Sequence, residues 1–328
     1  MERIRLGNSN IEISRIGLGS WAIGGPCFDN GKALGWGDVD DNQSIRSIRK
    51  GVDLGVNYID TANIYGAGHS EEVVGKAIKG IRDKVVVSTK FGILINEAEK
   101  CTNGVMQSMD DVRASVDGSL RRLDTDYIDL LYFHLGSYDL EGAVQVRETL
   151  EELVKTGKIR TYGWSTEIPE CAEVFAQGEH CAAFMHIENI FEDYDCMIKL
   201  CEKHDMVSVC RSPLCMGLLT GKYNQNTTFS ANDLRGANAP AWMNYFINGK
   251  PNPEMMKRLD SIKEILSSNG RTLAQGCMAW LWGRSEKCVP VPGFRTEKQV
   301  EDNARAMEFG PLTPAQMQEI DCILKTRD

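Results

Sequence analysis

Residues 127–164 read YIDLLYFHLGSYDLEGAVQVRETLEELVKTGKIRTYGW, and this stretch decides the fold. Tyr127 to His134 is a run of β-branched and aromatic residues of strand length. After a Gly136-Ser137 break, Glu141 to Lys155 sets Val144, Leu150, Leu153 and Val154 at helical spacing, and Gly157 stops the pattern. Ile159 to Trp164 is a strand again. Two strands joined by a helical crossover run parallel, because the helix carries the chain back to the edge from which it left.

The same alternation extends in both directions. Arg15–Gly19, Val56–Asp60, Lys84–Thr89, Ala182–Ile187, Met206–Cys210 and Cys288–Val291 are further strand signals, which makes eight. Asp41 opens a helix with Ile45, Ile48 and Val52 on one face and Gly55 at its end. Asp110 or Asp111 opens another, facing Val112, Val116, Leu120 and Leu123 inward. Eight parallel strands close a ring, so the expectation is a single α/β domain over residues 1–328, a (β/α)8 TIM barrel. The long segments Gly24–Asp40 and Pro213–Pro253 follow strands one and seven, on the face where barrel active sites sit. Ile4–Leu6 and Ile11–Ile13 flank Gly7-Asn8-Ser9-Asn10, a hairpin signal placed to plug the opposite mouth. Beyond Val291, Glu297–Met307 and Thr313–Lys325 read as helices, the second with Thr313 as cap and Pro314 at its first position.

Composition narrows the function. With 37 Lys+Arg against 46 Asp+Glu the net charge is −9, and no basic stripe exists to displace the counterions of a nucleic acid. Met1 to Asn10 lacks the apolar centre of a secretory signal, and no apolar run approaches the roughly 18 residues of a spanning helix. Eleven cysteines, an odd number, suit a reducing compartment, so the expected location is cytoplasmic with no membrane partner. The pairs Cys196/Cys201 and Cys210/Cys215 have no histidine at ligand spacing, which argues against zinc. Asn226-Thr227-Thr228 is a glycosylation acceptor that stays idle without secretion. Oligomeric state leaves no trace in the sequence.

Gly17-Leu18-Gly19-Ser20-Trp21-Ala22 resembles a dinucleotide fingerprint, but Gly24-Gly25-Pro26 prevents the helix that fingerprint needs. Gly163-Trp164-Ser165-Thr166-Glu167 lacks the last glycine of a nucleophile elbow. The remaining signal is a set of polar residues at the ends of strands two, three and four: Asp60, Lys90 and His134, with Tyr65 in the turn after Asp60. Singly each has an ordinary structural explanation. Together on one barrel rim they suit carbonyl reduction by hydride, in which the nascent alkoxide takes a proton from an acid within hydrogen-bond reach. Lys90 would lower the phenol pKa of Tyr65, Asp60 would fix Lys90, and His134 would orient the oxygen. That chemistry needs no metal.

These residues stand in segments that resemble the aldo-keto reductases over essentially the whole chain. The most specific is Gly55-Val56-Asn57-Tyr58-Ile59-Asp60-Thr61-Ala62-Asn63-Ile64-Tyr65-Gly66 with Ser70-Glu71 and Gly75, followed by Ser88-Thr89-Lys90 and Asp129-Leu130 through His134. The resemblance implies a small-molecule carbonyl substrate and NADP(H) laid over the C-terminal rim. Leu218 through Tyr223 and Pro290 through Asn303 look like its cofactor segments. It puts Ser165 on the nicotinamide amide, Trp21, Ser212, Leu214 and Gly217 along the cofactor, and Lys222 on the pyrophosphate. Gly293, Arg295, Gln299 and Asn303 then form the adenosine-phosphate segment, where Arg295 offers a planar charge to a 2′-phosphate.

Three positions depart from the family pattern. Thr166 stands where Asn is usual and His186 where Gln is usual, both near the carboxamide. Arg211 replaces an aromatic stacked on the nicotinamide, where a guanidinium also stacks or reaches an acidic substrate group. Trp21, Phe28 and Trp36 from the first long loop, with Trp242, Tyr245 and Phe246 from the second, would wall a pocket for an apolar or sugar-ring substrate. Three other readings stay open. They are a sugar or polyol dehydrogenase running oxidatively, a regulatory subunit that binds NADPH without turnover, and a lyase using Lys90 as a Schiff base.

Overall fold

The eight strand signals become eight parallel strands in a computed structural model that describes residues 1–325. They are β1 (Gly17–Gly19), β2 (Tyr58–Asp60), β3 (Val86–Phe91), β4 (Ile128–Phe133), β5 (Ile159–Ser165), β6 (Cys181–Ile187), β7 (Val207–Arg211) and β8 (Cys288–Pro290), paired in chain order. A parallel bridge between Gly19 and Gly293, with the Gly19 N–H donating to the Pro292 carbonyl at 3.0 Å, brings β8 back to β1. The result is a nearly closed (β/α)8 barrel.

Ten helices lie outside it among the described residues: α1 (Asp41–Asp53), α2 (His69–Ile78), α3 (Met109–Leu123), α4 (Leu140–Lys155), α5 (Pro169–Ala176), α6 (Asp195–Lys203), α7 (Pro253–Leu266), α8 (Leu273–Arg284), α9 (Glu297–Arg305) and α10 (Pro314–Lys325). Their ends correct the sequence reading in detail. α3 begins at Met109 because Ser108 is its cap; the Ser108 side chain accepts from the Asp111 N–H, and the Asp111 carboxylate accepts from the Ser108 N–H. In α4, capped by Asp139, Ala143 and Val146 are buried and Val144 is only half-buried. Leu150 and Leu153 are buried as expected, whereas Val154, like Val144, is only half-buried. α9 stops at Arg305, and Ala306–Glu308 continues as a 3-10 turn. Residues 326–328, the end of the expected domain, lie outside the described residues.

The N-terminal hairpin forms as expected, Arg3–Arg5 against Glu12–Ser14, with Ile4 opposite Ile13. Leu6, Ile11 and Ile13 pack with Val86, Leu130, Val207 and Val289, which point into the barrel, so the hairpin seals the N-terminal mouth. At the other mouth a feature absent from the sequence reading appears. The segment after β3 folds as Ile93–Asn96 against Cys101–Val105, and joins the first long loop's strands Phe28–Asp29 and Lys32–Ala33 in a four-stranded sheet. No described helix is long and apolar enough to cross a membrane. Cys27, Cys171, Cys181, Cys201, Cys210, Cys215, Cys277 and Cys288 are buried free thiols.

Because Ile13 is fully buried in the plug, Ile13→Ala is expected to lower the unfolding free energy by about 2–5 kcal/mol, read from urea denaturation. A midpoint unchanged from wild type would show that the hairpin does not seal the barrel.

Candidate active site

Strand periodicity aims the site. Tyr58 points into the barrel and so, two residues on, does Asp60; Val86 leads by the same rule to Ser88 and Lys90, and Leu130 and Tyr132 lead to His134. Asp60, Lys90 and His134 therefore form the top layer of the barrel interior. The Lys90 ammonium donates to both Asp60 oxygens at 2.8 Å, to the Thr61 carbonyl at 2.7 Å and to the Tyr65 hydroxyl at 3.2 Å. Ser88 donates to Asp60 Oδ1 at 2.8 Å and lies 3.0 Å from the Tyr58 hydroxyl. Neither Ser88 nor Tyr58 was singled out from sequence, though both share the inward parity.

Tyr65 is placed by its turn. Gly66 has φ of 64°, and a side chain there would meet the Gly24 carbonyl at 1.7 Å, so the turn seats directly on the first long loop. Trp21 stacks on the Tyr65 ring with centroids 5.5 Å apart.

Burial dominates the electrostatics. It pushes the Tyr65 phenol above its ordinary pKa, and the nearby Lys90 charge offsets this only in part. The net shift is thus opposite to the lowering expected from sequence, because the low-dielectric wall outweighs the ammonium. For Lys90, burial opposes the charge, but Asp60 and Tyr65 overcome it and hold the ammonium protonated. An ammonium so engaged is a poor Schiff-base amine. Burial, with Lys90 and Arg211 nearby, holds His134 well below the usual imidazole range. It is a neutral ring whose buried Nδ1 has no partner among the described residues.

Tyr65, His134 and Asp60 open onto a cavity of about 1690 Å³. Trp21, Trp36, Trp242, Ile93 and Val105 line it, and so do Lys222, Lys298 and the first turn of α9. Glycine backbone lines it at Gly19, Gly217 and Gly293, with no side chain to hold a ligand off. Cations, a helix N-terminus, apolar walls and the partnerless His134 nitrogen in one cavity fit a dinucleotide, whose phosphates and reactive ring need different surroundings.

The Aldo/keto reductase family profile matches residues 15–325. The chain belongs to the aldo-keto reductase family. It is 32% identical over 308 residues to the aldo-keto reductase YhdN of Bacillus subtilis (strain 168), covering 92% of this chain and 87% of that one. Its structure is similar to that of the glycerol dehydrogenase AKR11B4 from Gluconobacter oxydans, with a TM-score of 0.82, 33% identity, and 98% and 94% of the two chains covered. It is also similar to an aldo/keto reductase from Klebsiella pneumoniae in complex with NADP and acetate, with a TM-score of 0.68, 25% identity, and 98% and 94% coverage.

In this aldo-keto reductase the cavity is lined by Trp21, Ser165, Arg211, Ser212, Leu214, Gly217 and Lys222, and by Gly293, Arg295, Gln299 and Asn303. Thr166 and His186 are not brought to it. Ala183 and Met185 take the inward positions of β6, so His186 faces outward, fully buried, with Nε2 2.7 Å from the Ser208 hydroxyl and Nδ1 3.0 Å from the Ile187 carbonyl. The Thr166 hydroxyl donates to the Gly136 carbonyl at 2.6 Å. Arg295 faces the cavity, yet its Nε donates to the Ala22 carbonyl and one Nη to those of Trp36 and Asp38, so it ties down the first long loop. Gln299 closes the capping box of α9 with Thr296. Of the six expected aromatic walls, Phe28, Tyr245 and Phe246 do not line the cavity; Phe246 packs edge-on against Tyr223 and Phe229.

Sequence reasoning also missed Glu167 and Lys298, which line the cavity, and the wall from the segment after β3. A charged residue two positions after the β5 terminus and one in the first turn of α9 were the available signals.

His186 gives a pH test. Burial lowers its pKa to about 4 from an ordinary 6.5. The native state refuses a proton that the unfolded chain accepts, so this group's contribution to stability is present above about pH 6.5 and is lost as pH falls toward 4. Urea titrations at about pH 7 and pH 5 should show wild type losing stability relative to His186→Gln. A pH-independent difference would contradict a neutral, buried His186.

Proposed function

We propose that residues 1–328 form one cytoplasmic domain that reduces an aldehyde or ketone with NADP(H), with Tyr65 as the general acid. The observation that carries this reading is the Lys90 ammonium 3.2 Å from the Tyr65 hydroxyl, beneath a cavity large enough for cofactor and substrate together. NADP(H), when bound, supplies the hydride. The chain's own residues manage the proton. The raised pKa of Tyr65 keeps its proton in place at neutral pH until charge develops on the substrate oxygen. Lys90, held by Asp60 and Thr61, then stabilises the phenolate left behind. Neutral His134 has one N–H to donate to the same oxygen, and it adds no charge of its own. The Trp21 ring covers Tyr65 and excludes water from it.

For the cofactor, Lys222, Lys298 and the start of α9 suit the phosphates, while Gly293, Gln299 and Asn303 shape the adenosine end. Arg295 serves there through the loop it fixes. Ser165, Trp21, Arg211 and Ser212 stand around the nicotinamide end, and Leu214 and Gly217 carry the chain between the two. Sugars or keto-sugars suit the tryptophan-walled pocket. A second reading, oxidation of an alcohol with Tyr65 as base, draws on the likeness to a glycerol dehydrogenase.

Nicotinamide absorbance followed over aldehydes, ketones and keto-sugars with NADPH, and over polyols with NADP+, separates the two directions. Tyr65→Phe should cut turnover by about 10²–10⁴ while NADPH still binds, as judged by fluorescence titration. Undiminished turnover would remove Tyr65 from the proton transfer.

A further inference from the structure

We infer that the ion pair between Arg211 and Glu167 sets how strongly the site prefers the reduced over the oxidised form of its nicotinamide cofactor. This rests on the reading of the cavity as a nicotinamide site.

Arg211 ends β7 with the inward parity of Val207 and Val209, so its side chain enters the cavity that holds Tyr65 and His134. Its Nη2 donates to Glu167 Oε1 at 2.7 Å, and the same oxygen accepts from the Ile187 N–H at 2.9 Å, which pins the carboxylate to the barrel wall. The Arg211 Nε is buried and has no partner among the described residues. The pair is thus rigidly held, and its cation keeps an unused donor.

Lys90, Arg235 and Arg295 are differently engaged. Lys90 is enclosed by Asp60 and Thr61 below the floor. Arg235 is held by Asp233 and the Tyr223 hydroxyl. Arg295 is spent on backbone carbonyls. Arg211 is the cation, besides Lys90, whose field acts on both Tyr65 and His134.

Hydride transfer fixes where the reactive ring must lie. Its donor carbon has to come within about 3–3.5 Å of a carbonyl carbon whose oxygen rests on Tyr65 and His134. Arg211 acts at that corner, and Glu167 is bound to it at 2.7 Å. When a hydride, one proton with two electrons, passes to the carbonyl carbon and Tyr65 protonates the oxygen, a neutral ring becomes a cation. A guanidinium beside it opposes that cation and a carboxylate favours it. The two members of the pair therefore act in opposite directions on one equilibrium. Arg211, whose charge reaches both Tyr65 and His134, outweighs a Glu167 oxygen already shared with Ile187.

The test is binding. Dissociation constants for NADPH and NADP+ are measured by quenching of intrinsic fluorescence, since Trp21, Trp36 and Trp242 line the cavity. Wild type should bind NADPH more tightly than NADP+. Arg211→Gln should shift the ratio of the two constants about tenfold toward NADP+, and Glu167→Gln about tenfold the other way. Arg211→Lys, which keeps the charge, should stay near wild type, and the double variant should fall between the single ones. Equal affinities in wild type, single variants that move the ratio together, or shifts under about twofold in both would overturn the inference. Failure of wild type to bind either form would instead overturn the cofactor reading on which it stands.

Discussion

A primary ammonium and a carboxylate with almost no exposure face each other at 2.8 Å near the top of the barrel, and much of the site follows from holding them there. Such a pair is costly to dehydrate and persists only when its remaining hydrogen-bonding capacity is met. The barrel meets it. Thr61 offers a carbonyl to Lys90, Ser88 a hydroxyl to Asp60, and Tyr65 takes the last approach to the ammonium. The register that sets Asp60 opposite Ser88 between β2 and β3 makes this possible, and ring closure keeps that register. The Tyr65 phenol is thereby a satisfied partner of the ion pair rather than a separate fixture.

The cavity above is made by loops tied to that frame. Gly24 and Gly66 let the first loop press against the turn of Tyr65. Arg295 holds the same loop by three carbonyls, and the Leu234 N–H donates to the Gly35 carbonyl, joining the first loop to the second. Ties of this kind end on the first loop's carbonyls rather than on its side chains, which leaves the tryptophan rings to face the cavity. Trp242, about half exposed at the rim, is the least enclosed of them.

The site reads from the sequence unevenly. Asp60, Lys90 and His134 were legible because each ends a strand at an inward position, and Tyr65 because a turn follows at once. His186 and Thr166, put near the carboxamide by the family resemblance, lie one residue off the inward positions, and that offset turns a side chain from the cavity to the outer wall. Arg295 was legible as a cavity residue but not as a loop tether, since its acceptors lie more than 250 positions away in the chain. Glu167 was passed over because its partner Arg211 comes from a different strand.

Eightfold alternation of strand and helix, the hairpin ahead of it, and the strand-end positions of three of the four proposed catalytic groups are periodic, local properties, and the amino-acid order fixes them through the pleat and the helical repeat. Which loops meet, which aromatics face the cavity, and whether the phenol's pKa rises or falls depend on groups brought together through space. Burial depends on everything that covers a group, and no local pattern contains that sum. The direction of the Tyr65 shift was therefore decided by tertiary structure alone.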